Sequence, residues 1–330
     1  MLRRTMADAP TLDAIRAARA RIAARIHRTP VMTCASLDTM AGAQLFFKCE
    51  NFQKTGSFKI RGATNAVFSL DDATAKRGVV THSSGNHAAA LAHAAAQRGV
   101  PAWIVMPSHA PKAKVRAVEG YGGQITFCEP TIAARESTAK KLLERTGAVL
   151  IHPYDNAQII AGQGTAALEL LEELPDLDAV IAPVSGGGLL SGTAIAAKSL
   201  RQQAQVIGAE PKNADDAYRS LKSGRVEPLA QAHTIADGLR AGVCERTLGI
   251  LRARVDEVVL VSEEEIVAAM RQVWERMRII IEPSAAVAVA VAMQSLPALA
   301  GKRVGIIVSG GNVDLEQLPF AAASEAQAAK

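Results

Sequence analysis

The chain has 330 residues, 49% hydrophobic and 21% charged, enough for one large domain or two modest ones with buried cores, and its balance excludes wholesale disorder. A net charge of +5, from 37 basic and 32 acidic residues, is small and scattered, and aromatics make up only 4%. That excludes a concentrated nucleic-acid surface and suits an anionic small molecule equally well. Cys34, Cys49, Cys128 and Cys244 form no C-x-x-C pair and lack zinc-spaced histidines, and no stretch reaches the ~18 apolar residues of a membrane span. The expectation is a soluble protein of a reducing, cytoplasmic compartment.

In chain order, the first stretch carries Arg3, Arg4, Arg16, Arg19, Arg21 and Arg25 with few acids, as transit peptides do. Thr11 followed by Leu12, Ile15, Ile22 and Ile26 reads better as a capped helix facing a core and ending before Pro30. Apolar, strand-like runs follow at 45–49, 78–81, 102–106, 124–128, 149–151, 179–184, 205–209, 257–261 and 303–308. Helical stretches lie between them at 88–98, 131–145, 164–174 and 189–200. The most regular helix is 262–277, where Ser262 and Glu265 make a capping box before Ile266, Met270, Val273 and Met277. This alternation predicts an α/β protein with parallel sheets covered by helices on both faces. The Ala-rich tail after Phe320 reads as frayed.

Such sheets bind ligands where strand ends meet helix starts. The segment Lys54–Thr–Gly–Ser–Phe–Lys–Ile–Arg–Gly–Ala63 sets Lys59 between Phe58 and Ile60. An amine in an apolar site has a lowered pKa and attacks aldehydes, though a lysine of a basic surface loop fits the same letters. After the strand at 179–184 comes Ser185-Gly186-Gly187-Gly188, whose backbone N–H groups can converge on a phosphate or make an ordinary turn. It is neither G-x-G-x-x-G nor a Walker loop. Ser83-Ser84-Gly85-Asn86-His87 offers hydroxyls, an amide and N–H groups for a carboxylate, or a plain turn and cap. Glu210 closes a strand before Lys212-Asn213-Ala214-Asp215-Asp216, oxygen-rich enough for a hard cation or simply an acidic loop.

Taken in order, Ser-Phe-Lys59-Ile-Arg-Gly-Ala, Ser83-Ser-Gly-Asn-His87, Ala161-Gly-Gln-Gly-Thr165, the triple glycine and Ser309-Gly-Gly-Asn312 resemble the fold-type-II pyridoxal-phosphate enzymes, in the serine racemase and serine/threonine dehydratase branch. The likeness spans about residue 26 to residue 315. It implies two open twisted parallel-sheet domains, as in tryptophan synthase β. Residues 1–70 with 154–330 would form the large cofactor domain and 71–153 a small mobile one.

The resemblance also implies roles. Lys59 would carry pyridoxal 5'-phosphate as a Schiff base, with Phe58 beside the ring and Asn86 on the ring hydroxyl. Ser185, Gly186, Gly187 and Gly188 would cradle the phosphate, Ser185 adding a hydroxyl donor. Ser309 would face the pyridine nitrogen. Ser83, Ser84 and His87 would hold the substrate carboxylate, and Ser84, opposite Lys59, would serve as a second base. Glu210, the Ala214 carbonyl and Asp216 would ligate Mg²⁺, or Ca²⁺ or Mn²⁺. A hydroxyl at Ser309 cannot hold the ring nitrogen protonated as a carboxylate would, which favours prompt loss of a β-leaving group.

The implied activity is dehydration of L-serine or L-threonine to a 2-oxo acid and ammonia, by a homodimer, with serine racemisation as a companion or main activity. Departures from the branch point elsewhere. Ala88-Ala89 replaces Gly-Gln in the nucleotide-site surroundings that Lys114 and Tyr121 otherwise match. Ala241 replaces a substrate-side serine. Arg135, with Arg240 and Arg246 nearby in role, could meet a second carboxylate, which raises β-hydroxyaspartate as a substrate.

Overall fold

The computed structural model describes residues 9–83, 85–229 and 231–320, the side chains of Ile132 and Gln317 aside. All nine apolar runs form strands, and a tenth pairs in front of them. They are β1 (Val31–Met32), β2 (Gln44–Cys49), β3 (Val79–His82), β4 (Ala102–Pro107), β5 (Gln124–Cys128), β6 (Val149–Leu150), β7 (Ala179–Pro183), β8 (Gln205–Pro211), β9 (Glu257–Val261) and β10 (Arg303–Val308). They build a six-stranded sheet, order β1-β2-β10-β7-β8-β9, and a four-stranded sheet, order β5-β4-β3-β6. Every pairing is parallel except β1 with β2. β1, only two residues long, offered no alternation to read.

The helices are α1 (Leu12–Ile22), α2 (Ala35–Ala41), α3 (Lys59–Phe68), α4 (Asp72–Lys76), α5 (Asn86–Arg98), α6 (Lys112–Gly120), α7 (Ile132–Thr146), α8 (Ala157–Glu173), α9 (Gly188–Leu200), α10 (Asp216–Ser223), α11 (Glu245–Arg254), α12 (Glu263–Met277) and α13 (Pro283–Met293). They cover both faces of the larger sheet, and the strand period of two shows how. Ala179, Ile181, Val304 and Ile306 join the core under α12 and α13, while Val180, Ala182 and Ile307 join the core under α8 and α9. The smaller sheet repeats the pattern, with Val79, Ile104 and Met106 toward α5 and Val80 and Val105 toward α7.

The expected caps hold α1 and α12: Ala14 N donates to Thr11 Oγ1 at 3.2 Å, and Ser262 and Glu265 complete their box. α1 stops at Ile22, leaving Ile26 beyond it against another core. α8 starts at Ala157, two turns earlier than the sequence suggests, because Asn156 caps it. Gly162 and Gly164 resemble breakers but serve close packing. A Cβ on Gly162 would lie 2.6 Å from the Gly62 Cα, and one on Gly164 would lie 2.8 Å from the Gly192 carbonyl. Among the described residues no helix is long and apolar enough to cross a membrane. The strand ends of β3, β7 and β10 open onto one cavity, of about 500 Å³.

Candidate active site

Lys59 owes its place to the end of β10. Phe58 N donates to the Ser309 carbonyl at 2.9 Å, Ser57 bridges Gly310, and the Lys54–Gly56 turn is pinned by Gly311 N and Asn312 Nδ2. Its amine, half-buried at the start of α3, lies 3.3 Å from the Pro153 carbonyl and 5.0 Å from the Phe58 ring centre. Burial pushes its pKa down from 10.5 to about 8, against the pull of the Glu282 carboxylate. A basic-loop lysine would show no such shift.

Opposite stands a cradle of backbone. Gly187 adopts φ 88°, a conformation L side chains rarely take, and turns the chain into α9. A Cβ on Gly186 would lie 2.3 Å from the Tyr154 ring, and one on Gly187 2.7 Å from Thr247. No room remains for side chains, and the first-turn N–H groups of α9 face the cavity without intrahelical partners. Ser185 departs from expectation. Its hydroxyl donates to the Ala241 carbonyl at 2.9 Å and accepts from Ala241 N at 3.0 Å, so its single proton is spent. The backbone of Ser185, rather than its hydroxyl, is left for an anion. Glycine cradle, helix start and activated lysine together fit the phosphate and aldehyde of the expected cofactor.

Asn86 opens α5 and is fixed from two sides. Its Nδ2 donates to Glu282 at 2.9 and 3.1 Å, and its Oδ1 accepts from Asn312 Nδ2 at 2.9 Å. Burial raises the Glu282 pKa to about 7, against the Asn86 hydrogen bond. His87 is fully enclosed, and desolvation lowers its pKa to about 3, so the ring is neutral. Its Nε2 faces the Ile151 carbonyl at 3.2 Å and must donate there, leaving Nδ1 a buried acceptor with no partner. The ring therefore cannot hold a carboxylate; the N–H groups of Asn86 and His87 at the helix start can. Ser83 lines the cavity, accepting from Gly85 N at 3.4 Å, and Ser309 closes it from the end of β10, 2% exposed. Ser84 lies outside the described residues.

Arg135 reaches the same cavity from α7, where its buried Nε finds no hydrogen-bond partner. The neighbouring cations are engaged: Lys114 with Asp237, Arg246 with Asp155 at 2.6 Å, and Arg240 with the Thr234 carbonyl at 3.1 Å. Glu210, Ala214 and Asp216 sit elsewhere, at the end of β8. Glu210 is buried and accepts from Ala217 N and Tyr218 N, while Asp216 accepts from Val243 N at 2.8 Å. Burial raises Glu210 to about 8 and Asp216 to about 6. Asp215 is taken by Arg219 at 2.8 Å. Two buried carboxylates and a carbonyl suit a hard cation completed by water. Among the described residues no cluster of three or more His, Cys, Asp or Glu side chains could hold a metal.

Sequence reasoning passed over several cavity residues. Glu282 had a signal, an acid closing the apolar run Ile279-Ile280-Ile281 before a helix-starting Pro283. Tyr154, packed on the glycine cradle, had none. Nor had His82 and His152, whose rings meet edge to face at 5.6 Å.

Comparison with known proteins gives a consistent result. The profile of the pyridoxal-phosphate dependent enzymes matches residues 22–310. A β-hydroxyaspartate dehydratase of Paracoccus denitrificans (strain Pd 1222) is 51% identical over 311 residues, 94% of this chain and 99% of that protein. The structure of maize serine racemase superposes with a TM-score of 0.92 at 49% identity, over 97% of this chain and 99% of the other. A threonine deaminase from T.th. gives 0.89 at 43% identity, over 93% and 99%.

Proposed function

The chain belongs to the pyridoxal-phosphate dependent enzymes, and within that family we propose that it is a dehydratase of β-hydroxy amino acids, releasing a 2-oxo acid and ammonia. The observation that carries this reading is the Lys59 amine, its pKa pulled down to about 8 in a cavity that also presents a phosphate cradle and a carboxylate-binding helix start. When bound, pyridoxal phosphate supplies an aldehyde for that amine and an electron-accepting ring conjugated to the substrate's α-carbon. The protein does the rest. The N–H groups of residues 186–188 bind the phosphate. Ser309 would stand at the ring nitrogen with a hydroxyl, and Asn86, fixed by Glu282 and Asn312, would stand beside the ring hydroxyl. The N–H groups of Asn86 and His87 orient the α-carboxylate. Lys59, as a free amine, would take the α-proton of the substrate.

By the family resemblance Ser84 would act as a second base that returns a proton on the face opposite Lys59, which makes racemisation a companion activity. Glu210, the Ala214 carbonyl and Asp216 would hold a divalent cation, Mg²⁺ foremost, that neutralises two buried carboxylates. The working form is a cytoplasmic homodimer; exposed Phe52 and Ile280, joined through the Asn51 hydrogen bond to the Ile280 carbonyl, offer an apolar face for the second copy. In this reading residues 71–153 close as a small unit over the substrate.

A second reading of the substrate has its own observation. Arg135 lines the cavity with its buried Nε unpartnered among the described residues, which favours a substrate bearing a second carboxylate, β-hydroxyaspartate, over serine and threonine. The assignment of Lys59 is tested by hydride reduction of the cofactor-loaded protein followed by peptide mapping. Label on Lys59 is expected; label on any other lysine overturns it.

A further inference from the structure

The face of α3 turned away from the cavity carries a charge cluster that the proposed reaction does not use. All five N–H groups of Arg61 are engaged. Nε meets Glu50 Oε2 at 2.6 Å; Nη2 meets Glu50 Oε1 and Glu169 Oε2, both at 2.8 Å; Nη1 meets Glu169 Oε1 at 2.7 Å and Thr165 Oγ1 at 3.1 Å. Lys48 Nζ donates to Glu169 Oε2 and to the Thr29 carbonyl, each at 2.7 Å, and Thr29 Oγ1 donates to Glu50 Oε1. Arg61, Lys48 and Glu50 are wholly buried, Glu169 almost so.

Two cations and two carboxylates cancel in charge, yet such a cluster is a poor source of stability. Desolvation consumes its Coulomb gain, and apolar side chains of the same volume would often serve the fold as well. What the cluster supplies is direction. A guanidinium with every donor taken by two bidentate carboxylates and a hydroxyl can lie only one way.

Lys59 and Arg61 are two positions apart, about 200° around the helix, so fixing one fixes the exit direction of the other. The partners of Arg61 come from elements that adjoin those lining the cavity. Glu50 directly follows β2, which runs in register beside β10 up to Val308, next to Ser309. Thr165 and Glu169 belong to α8, which starts just after Pro153, the carbonyl partner of the Lys59 amine. We infer that Arg61 is a positioning residue for Lys59, its buried ion cluster setting the angle at which the amine meets the cofactor aldehyde. The inference rests on the assignment of Lys59 made above.

Two variants test it. Arg61→Lys keeps the charge but cannot bridge two carboxylates; Thr165→Val removes one acceptor with little change in volume. Cofactor-free native and variant proteins are mixed with pyridoxal phosphate, and the growth of the visible Schiff-base band and its pH midpoint are followed beside the melting temperature. Misaligned reacting atoms should slow band formation about tenfold in Arg61→Lys and about threefold in Thr165→Val, with a shifted midpoint in both. In Thr165→Val the melting temperature should stay close to the native one. Should Arg61→Lys fail to fold, Thr165→Val decides. A native band with folded variants matching its rate and midpoint overturns the positioning role alone. No band in the native protein overturns the Lys59 assignment and this inference with it.

Discussion

Replacing Lys59 by Met in the cofactor-free protein should make the fold more stable at neutral pH, because the native side chain brings an ammonium where burial resists it. The lysine falls from 10.5 to about 8 on folding. Between these values the unfolded chain holds more protons than the native one, so native stability rises with pH there; below pH 8 the whole penalty is present. The full difference corresponds to about 3 kcal/mol. Lys59 is only half-buried and opens to the cavity, so a gain of about 1–3 kcal/mol is the expectation for Lys59→Met near pH 7, shrinking to less than half near pH 9.5. Urea unfolding of both proteins at the two pH values measures it, with the cofactor stripped because a ligand of the native state adds its own stability. A loss at pH 7, or an equal gain at both pH values, would refute the titration argument and leave only packing.

Gly186→Ala should weaken cofactor binding by about tenfold or more, since its Cβ would meet the Tyr154 ring at 2.3 Å, and Tyr154→Ala in the same chain should restore part of it; fluorescence titration with pyridoxal phosphate reads both. Arg135→Gln should lower kcat/KM for β-hydroxyaspartate by about 30-fold or more, the worth of a charge-assisted carboxylate contact, and change that for serine by less than about threefold. Equal losses for both substrates would place Arg135 outside the second-carboxylate site. Mg²⁺ should raise the melting temperature of the native protein, EDTA should reverse the rise, and Glu210→Gln should abolish the response.

Much of the fold could be read because strand and helix signals here are local. Runs such as 257–261 and 303–308 are short, apolar and rich in Val and Ile, and they stand where expected, β10 enclosed in the middle of its sheet and β9 half-buried at its edge. The capping box of Ser262 and Glu265 likewise depends on neighbours three residues apart. The start of α8 was hidden because Gly162 and Gly164 look like breakers until Gly62 and Gly192, far off in sequence, are seen against them.

The same division runs through the site. Lys59, the triple glycine and Asn86 lie in ordered short motifs, so they could be singled out, and all line one cavity. What those motifs could not convey was the state of each group. That the Ser185 proton is spent on Ala241, and that His87 faces a carbonyl and so cannot grip a carboxylate with its ring, depend on partners 56 and 64 residues away. Glu282 meets Asn86 across 196 residues, and Arg61 meets Thr165 and Glu169 across 104 and 108, where a single sequence offers no pattern.

Lys59, as base and cofactor anchor, is the residue on which dehydration depends. The most direct test supplies the purified, cofactor-loaded protein with serine, threonine and β-hydroxyaspartate in turn and measures ammonia, 2-oxo acid and substrate chirality together. The account predicts ammonia and 2-oxo acid in equal amounts from at least one of the three, abolished in Lys59→Ala. Full turnover by Lys59→Ala, or tight cofactor binding with no product from any of the three, would contradict it.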